Sequence, residues 1–188
     1  CTTGNLSGTS HTASCSTSAL LAVGSPHSIT AAYAGDSNYN GSTSIAISQG
    51  VNKKSVTASV IANNKNYDGT VNATIAGCSL SGVLTGDSGN VICTTGSALF
   101  SNKNVGNGKT VTATGIALSG SATGNYQLSS ASAATTANIT ARDITVTADA
   151  KSKVFGTSDP DLTYQITSGS LISGDVFSGS LNRVTGES

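Results

Sequence analysis

Along most of the chain, small and β-branched apolar residues alternate with Ser, Thr and Asn, a period of two that predicts β-strands. Val56, Ala58 and Val60 share one such face, and Ile144, Val146 and Ala148 share another. Ser28–Tyr33 puts Ile29, Ala31 and Tyr33 together, and a strand at 44–48 is predicted after the Gly35–Ser42 turn. Between residues 53 and 140, further strands are predicted at Thr70–Ile75, Lys109–Thr114, Ile116–Leu118, Tyr126–Leu128 and Thr136–Ile139. Gly86-Asp87-Ser88-Gly89-Asn90 reads as a hairpin loop between the segments that carry Cys78 and Cys93. The Asp68-Gly69 pair supplies the positive φ of a tight turn, directly after Tyr67. A similar aromatic turn recurs at Gly124-Asn125-Tyr126, and the two tyrosines read as opposite ends of one β-module.

Punctuation divides the chain into 1–52, 53–140 and 141–188. The joins, Ile47–Val56 and Ala137–Val146, run strand to strand without a Pro/Gly/Ser linker. Ser-Val-Thr-Ala-Ser after the first join and Ile-Thr-Val-Thr-Ala after the second are alike, as expected of a tandem array. The pattern starts at Cys1 and stops at Ser188 in mid-module, as expected of a segment of a longer protein.

Composition narrows the partners. Charged residues make up 10% of the 188 and the formal net charge is zero, which argues against nucleic acid and anionic membrane as electrostatic partners. No apolar run approaches the ~18 residues of a membrane span. With 4% aromatics, no Trp and no Met, the cores must be thin and aliphatic. Two Pro, regular alternation and no net charge set the chain apart from disordered sequences.

Cys1, Cys15, Cys78 and Cys93 allow three connectivities. The local one, Cys1–Cys15 with Cys78–Cys93, keeps each bridge inside one module and is favoured. Each loop would contribute roughly 3 kcal/mol in the chain-entropy treatment, in an oxidising compartment. A zinc site on Cys1, His11 and Cys15 has no C-x-x-C and no fourth local ligand.

Catalytic and cofactor patterns are weak. Asp36, Asn38, Asn40 and Gly41 match half a calcium loop, but Ile47 stands where the bidentate Glu belongs, so an Asx-rich turn is the better reading. His11 and His27 lie in no nucleophile motif. Asp159 and Asp161 flank Pro160 as turn residues, and the single Glu is Glu187. Asn107-Gly108-Lys109-Thr110 has Asn102 where a P-loop has its first Gly, and leads into a β-pattern. Sequons at Asn5, Asn40, Asn72 and Asn138 are expected by chance in so Asn-, Ser- and Thr-rich a chain. Lys103 and Lys109 are the candidate donors for a covalent Lys–Asn or Lys–Asp cross-link, with exposed edge lysines as the plainer reading. No catalytic residue, metal ligand or cofactor follows from the residues.

Three stretches resemble known repeats. Ser28-Ile-Thr-Ala-Ala-Tyr33 with Gly35-Asp36, Tyr39 and Ser42 resembles the C-terminal half of bacterial immunoglobulin-like repeats. Tyr67-Asp68-Gly69-Thr70, Phe100, Lys103, Val105-Gly106, Gly108-Lys109, Val111, Leu118-Ser119-Gly120 and Gly124-Asn125-Tyr126 resemble the YDG-type repeats of very large bacterial surface proteins. The Cys78/Cys93 pair is a local addition to that pattern. Residues 141–188 resemble the N-terminal part of an MBG-type module with a Y-G-x signature, Phe155-Gly156 standing at its Tyr-Gly, so that a core role is expected of the ring.

The resemblances imply an all-β array of tandem immunoglobulin-like sandwiches, the last one sandwich or grasp-like. They imply a non-enzymatic stalk of a secreted or surface-anchored bacterial adhesin-like protein. Its partners would be neighbouring modules or identical chains, without membrane insertion. Two alternatives stand beside it: a filament subunit completed by a neighbour's strands, and a module that binds a surface glycan or protein, against which stands the scarcity of aromatic and Arg anchors. The stiff joins predict a rod on the order of 100 Å long, from strands of about ten residues at ~3.3 Å each. Small-angle scattering should therefore give a radius of gyration well above the ~16 Å of a compact chain of this length, and a value near 16 Å would defeat the rod.

Overall fold

A computed structural model describes Ser14, Ser16 and residues 20–183 of the chain. Cys1, His11, Cys15 and Glu187 lie outside the described residues. The fold is all-β, with no α-helix among the described residues. Its strands are β1 (His27–Ile29), β2 (Ala32–Gly35), β3 (Asn40–Thr43), β4 (Ile47–Gln49), β5 (Lys54–Ala62), β6 (Lys65–Asn66), β7 (Ile75–Ser81) and β8 (Ile92–Thr94). They continue with β9 (Ala98–Phe100), β10 (Gly106–Thr114), β11 (Ala117–Ser119), β12 (Tyr126–Leu128), β13 (Ser132–Thr140), β14 (Thr145–Ala148) and β15 (Tyr164–Ser168). Short 3₁₀ turns lie at Thr85–Asp87 and Thr123–Asn125.

The described residues gather into two compact units that take alternate stretches of the middle of the chain. The first holds residues up to 59, 79–94 and 116–131; the second holds 60–78, 95–115 and 132 onward.

In the first unit, β1 pairs with β4 and β2 with β3, all antiparallel, so 27–49 form one interrupted hairpin. The break falls at Ala31, whose N–H donates to Ser44 Oγ and whose carbonyl accepts from the Ser44 N–H. At its tip the Asp36 carboxylate accepts from the Asn38 and Tyr39 N–H groups at 2.7 and 3.0 Å. That is the Asx turn expected of the motif. The Tyr33 hydroxyl donates to the second carboxylate oxygen at 2.6 Å and, ahead of those backbone bonds, holds the Asp36 carboxyl below its ordinary value.

The core of this unit is Val56, Val91 and Tyr126, with Leu80, Val83, Leu118, Ala122 and Leu128 packed against it. Gly120 takes φ +117°, and a Cβ there would stand 2.2 Å from the Asn90 carbonyl oxygen, so this crossing admits only glycine.

The second unit contains the antiparallel ladder β9–β10–β13, with β6 joined parallel to β13. Alternation decides its inner face: Val111 and Ala113 of β10, Ala137 and Ile139 of β13, and Ala98 and Phe100 of β9 are buried, while the intervening Thr112 and Leu99 are exposed and Asn138 is half-buried. The Asn107-Gly108 stretch lies in β10 as a bulge, where Gly106 faces Ile139 and Lys109 faces Ala137. Gly108 has φ +60°, and its N–H donates to Asn138 Oδ1 at 2.8 Å. Farther along, β14 and β15 form a separate antiparallel pair.

Two expectations need correction. Gly86–Asn90 does not close a hairpin: β7 belongs to the sheet β12–β5–β7, and β8 pairs with β11. The connection folds instead through the Thr85–Asp87 turn, with Asp87 N bonded to Leu84 O and Asn90 N to Asp87 O. Thr70–Ile75 is not a continuous strand either. Lys65 takes the Thr70 and Asn72 carbonyls, and only the bridge of Asn72 with Leu99 and the bonds Ala73 N to Ala98 O and Phe100 N to Val71 O tie the stretch to β9.

Ile139 is 1% exposed and Ile61, on the outer side of β5, is 68% exposed. Removing one methyl group from each should separate burial from strand propensity. Ile139→Val should lower unfolding stability by about 1 kcal/mol and Ile61→Val by less than about 0.5 kcal/mol, read from denaturant midpoints at constant m.

Candidate functional site

The densest polar cluster sits at the Tyr67-Asp68-Gly69-Thr70 turn and is organised by Lys65, which the sequence reading did not single out. From the end of β6, the Lys65 ammonium reaches Asp68 Oδ1 at 2.7 Å, Thr70 O at 2.8 Å, Asn72 O at 2.9 Å and Thr70 Oγ1 at 3.2 Å. An ammonium has three protons, so four acceptors share them. Its charge also lies 5.4 Å from the centre of the Phe100 ring. The signal was present in the i, i+3 spacing of Lys65 and Asp68, although what makes the amine central is the backbone turning the Thr70 and Asn72 carbonyls toward it.

Asp68 closes the cluster from the other side. Its Oδ1 accepts from the Thr70 N–H and the Thr70 hydroxyl, both at 2.9 Å. The hydrogen bond from Lys65, followed by that from the Thr70 N–H, brings the Asp68 carboxyl down from 3.8 to about 2. Gly69 follows with φ +76°. A Cβ there would meet Ile172 Cγ2 at 2.5 Å, so the glycine serves both the turn and the approach of residues 170–177. Tyr67 ties the turn at two further points: its N–H donates to Thr140 O at 2.9 Å and its hydroxyl to Asp175 Oδ1 at 3.2 Å.

The second aromatic turn works differently. Tyr126 is 3% exposed, and its ring lies in the Val56–Val91 core. Its hydroxyl donates to Asp87 Oδ2 at 2.6 Å and accepts from the Leu84 N–H at 3.2 Å, which pins the Leu84–Asn90 connection. The bond to the Asp87 carboxylate, with desolvation adding to it, raises the Tyr126 phenol above its ordinary value. Tyr67 and Tyr126 therefore lie in different units, each tied to a distant segment of its own unit.

Phe155 departs from expectation. The ring is fully exposed rather than in a core. Thr157 bonds back to the Val154 carbonyl through both its N–H and its hydroxyl, and Gly156 takes φ +86°. That tight turn faces the ring outward. The aromatic contact of this segment is instead Tyr164 on Phe177, edge to face with centroids 5.7 Å apart.

Cys78 on β7 and Cys93 on β8 are both disulfide-bonded. Asp159 bridges Lys153 and Arg183, and Lys153 is the larger influence that lowers its carboxyl. Lys103 is exposed, and Lys109 donates to Asn102 Oδ1. Among the described residues no group of three His, Cys, Asp or Glu side chains is placed to hold a metal, and no helix is long and apolar enough to cross a membrane.

Tyrosine, aspartate and glycine thus form one turn, fastened by a lysine and held against β13. Residues 52–137 match the YDG domain. Residues 144–188 match the MBG domain of the YGX type. No curated protein and no solved structure matches the chain significantly. At the signature turn every Lys65 proton has an acceptor, and Asp68 Oδ1 accepts from Lys65, the Thr70 N–H and the Thr70 hydroxyl. Domains of the YDG and MBG types occur in surface or extracellular adhesin-like proteins.

Because the folded Asp68 value lies below its unfolded one, ionised Asp68 stabilises the turn above about pH 4, and the effect is lost as pH falls through about 2. Its half-exposed side chain keeps the contribution small. Carboxyl NMR should therefore show Asp68 titrating near pH 2, and Lys65→Met should move that midpoint up toward 3.8.

Proposed function

We propose that the chain is a non-enzymatic stalk segment of a large secreted or surface-anchored bacterial adhesin-like protein, its modules immunoglobulin-like or closely related. One observation carries the reading: matches to two different surface-repeat domains follow one another, at 52–137 and 144–188, with six residues between them. Those six residues run from the end of β13 toward β14 and include no glycine or proline. The geometry of the signature turn adds support, because its polar groups are consumed in holding the turn.

A second reading, a filament subunit completed by strands of identical chains, is favoured by a specific feature. In the β14–β15 pair, Val146 faces Ile166 and Ala148 faces Tyr164 in register, and all four are exposed. The sheet holds only these two strands among the described residues, so each also has an open edge of the kind that accepts an added strand.

Antibodies against the chain should label intact producing cells, or the secreted fraction, and protease shaving should release peptides from residues 52–183. Label confined to permeabilised cells would overturn the stalk. A purified chain that remains a monomer by mass measurement at high concentration would remove the filament reading.

A further inference from the structure

We infer that Asn107 is a site of spontaneous covalent change, an asparagine that closes on its own backbone, and that the Asn138 side chain is the latch that keeps it unreacted. The inference is independent of the stalk reading. It concerns one end of the β10–β13 ladder, inside the second unit.

The chemistry starts from the sequence. An Asn followed by Gly can form a five-membered ring, because no side chain on the next residue hinders its backbone nitrogen. The chain has two such pairs, Asn40-Gly41 and Asn107-Gly108. At the second, the Gly108 nitrogen gives up its proton and bonds to Asn107 Cγ. The bond from Cγ to the amide nitrogen breaks, and ammonia leaves carrying that proton. Water then opens the ring. Attack at Cγ gives aspartate, and attack at the backbone carbonyl gives isoaspartate, whose main chain runs on through Cγ. Water enters and ammonia leaves, so no oxidant and no enzyme is needed.

The fold both exposes this pair and restrains it. Asn107 and Gly108 together oppose the single residue Asn138, so they form the bulge and stand outside the regular register. Both are exposed. Gly108 has φ +60°, and nothing lies within 4 Å of where a Cβ would stand. Water and room for the ring are therefore at hand. The attacking nitrogen, however, is engaged: its N–H donates to Asn138 Oδ1 at 2.8 Å. Ring closure removes that proton and turns the nitrogen toward Asn107 Cγ, so this bond must break first. The latch is itself anchored. Asn138 stands between the buried Ala137 and Ile139, and its own N–H donates to Asn64 Oδ1 at 2.7 Å. Asn107 thus reacts from a locally opened state, and its rate reports how often this end of the ladder opens. The product keeps the record. Isoaspartate lengthens the β10 main chain by one methylene between Gly106, which faces Ile139, and Lys109, which faces Ala137. The bulge must then grow or the Gly106–Ile139 pairing is lost.

The test ages the whole 188-residue chain in mildly alkaline buffer. Peptide-mapping mass spectrometry reads the change from amide to acid at Asn107 and at Asn40, with isoaspartate told from aspartate by its fragments. In native buffer Asn107 should react at least about tenfold more slowly than in denaturing urea. Asn138→Ala should speed its loss roughly threefold to tenfold, the share of one hydrogen bond. The same substitution should leave Asn40, which belongs to the first unit, at its original rate. Thr136→Ala, an exposed change on the same strand, should move neither rate. Three results would overturn the latch: an Asn107 that reacts as fast folded as unfolded, a folded Asn138→Ala chain with the unsubstituted rate, or an equal acceleration by Thr136→Ala. If Asn138→Ala does not fold, the unsubstituted chain still decides. Hydrogen exchange at the Gly108 amide and loss of Asn107 should rise in proportion through sub-denaturing urea. A Gly108 amide that exchanges at the unfolded rate in native buffer defeats the inference equally.

Discussion

The strand order between residues 53 and 140 depends on one constraint: in each of the two units an early strand lies parallel to a late one. Lys54–Val56 lie opposite Tyr126–Leu128, and Lys65-Asn66 lie opposite Ile139-Thr140. Once those registers are set, the remaining order follows. β13 offers its other edge to β10, and β10 offers its own to β9. Val111, Ala113, Ala137 and Ile139 then fall on one face because side chains alternate. A slip of one residue between β10 and β13 would break the match of their two apolar faces.

The two aromatic turns make these registers specific in a chain with few large side chains. Tyr67 donates its N–H to Thr140, so the turn that opens the region reads the strand that ends it. Tyr126 fills the aliphatic core of the other unit and ties down the Leu84–Asn90 connection with its hydroxyl. In so thin a core, a buried ring with a satisfied hydroxyl supplies both apolar area and direction. Lys65 plays the corresponding part on the polar side, gathering carbonyls that no strand ladder would satisfy.

The strand pattern was legible because alternation is a local signal: Val56 and Val60 are buried and Thr57 and Ile61 are exposed, as the period of two requires. The turn at Asp68-Gly69 and the Asx turn at Asp36 were legible for the same reason, since their geometry is decided within a few residues. Pairing partners were not. Nothing near Gly86–Asn90 announces that its flanking strands join different sheets, because that choice is made by Val91 and Tyr126 packing far along the chain. Lys65 was missed because residue spacing does not show that the backbone turns the Thr70 and Asn72 carbonyls toward its amine, and Phe155 was misplaced because a turn signature says where the backbone bends and not which side of it meets water.

The long separation of the paired segments has a consequence in time as well as in space. Lys54 meets Tyr126 and Asn66 meets Thr140 only after the intervening chain exists, so both registers wait for the last strand. Loop-closure entropy is then spent before any reward from β12 or β13 arrives, the condition for slow, late folding. A chain made from its N-terminus presents β5 and β6 before β12 and β13 exist, whereas β9 with β10 and β8 with β11 can pair as soon as both strands are made. The two parallel pairings are thus the last parts of this region that can close.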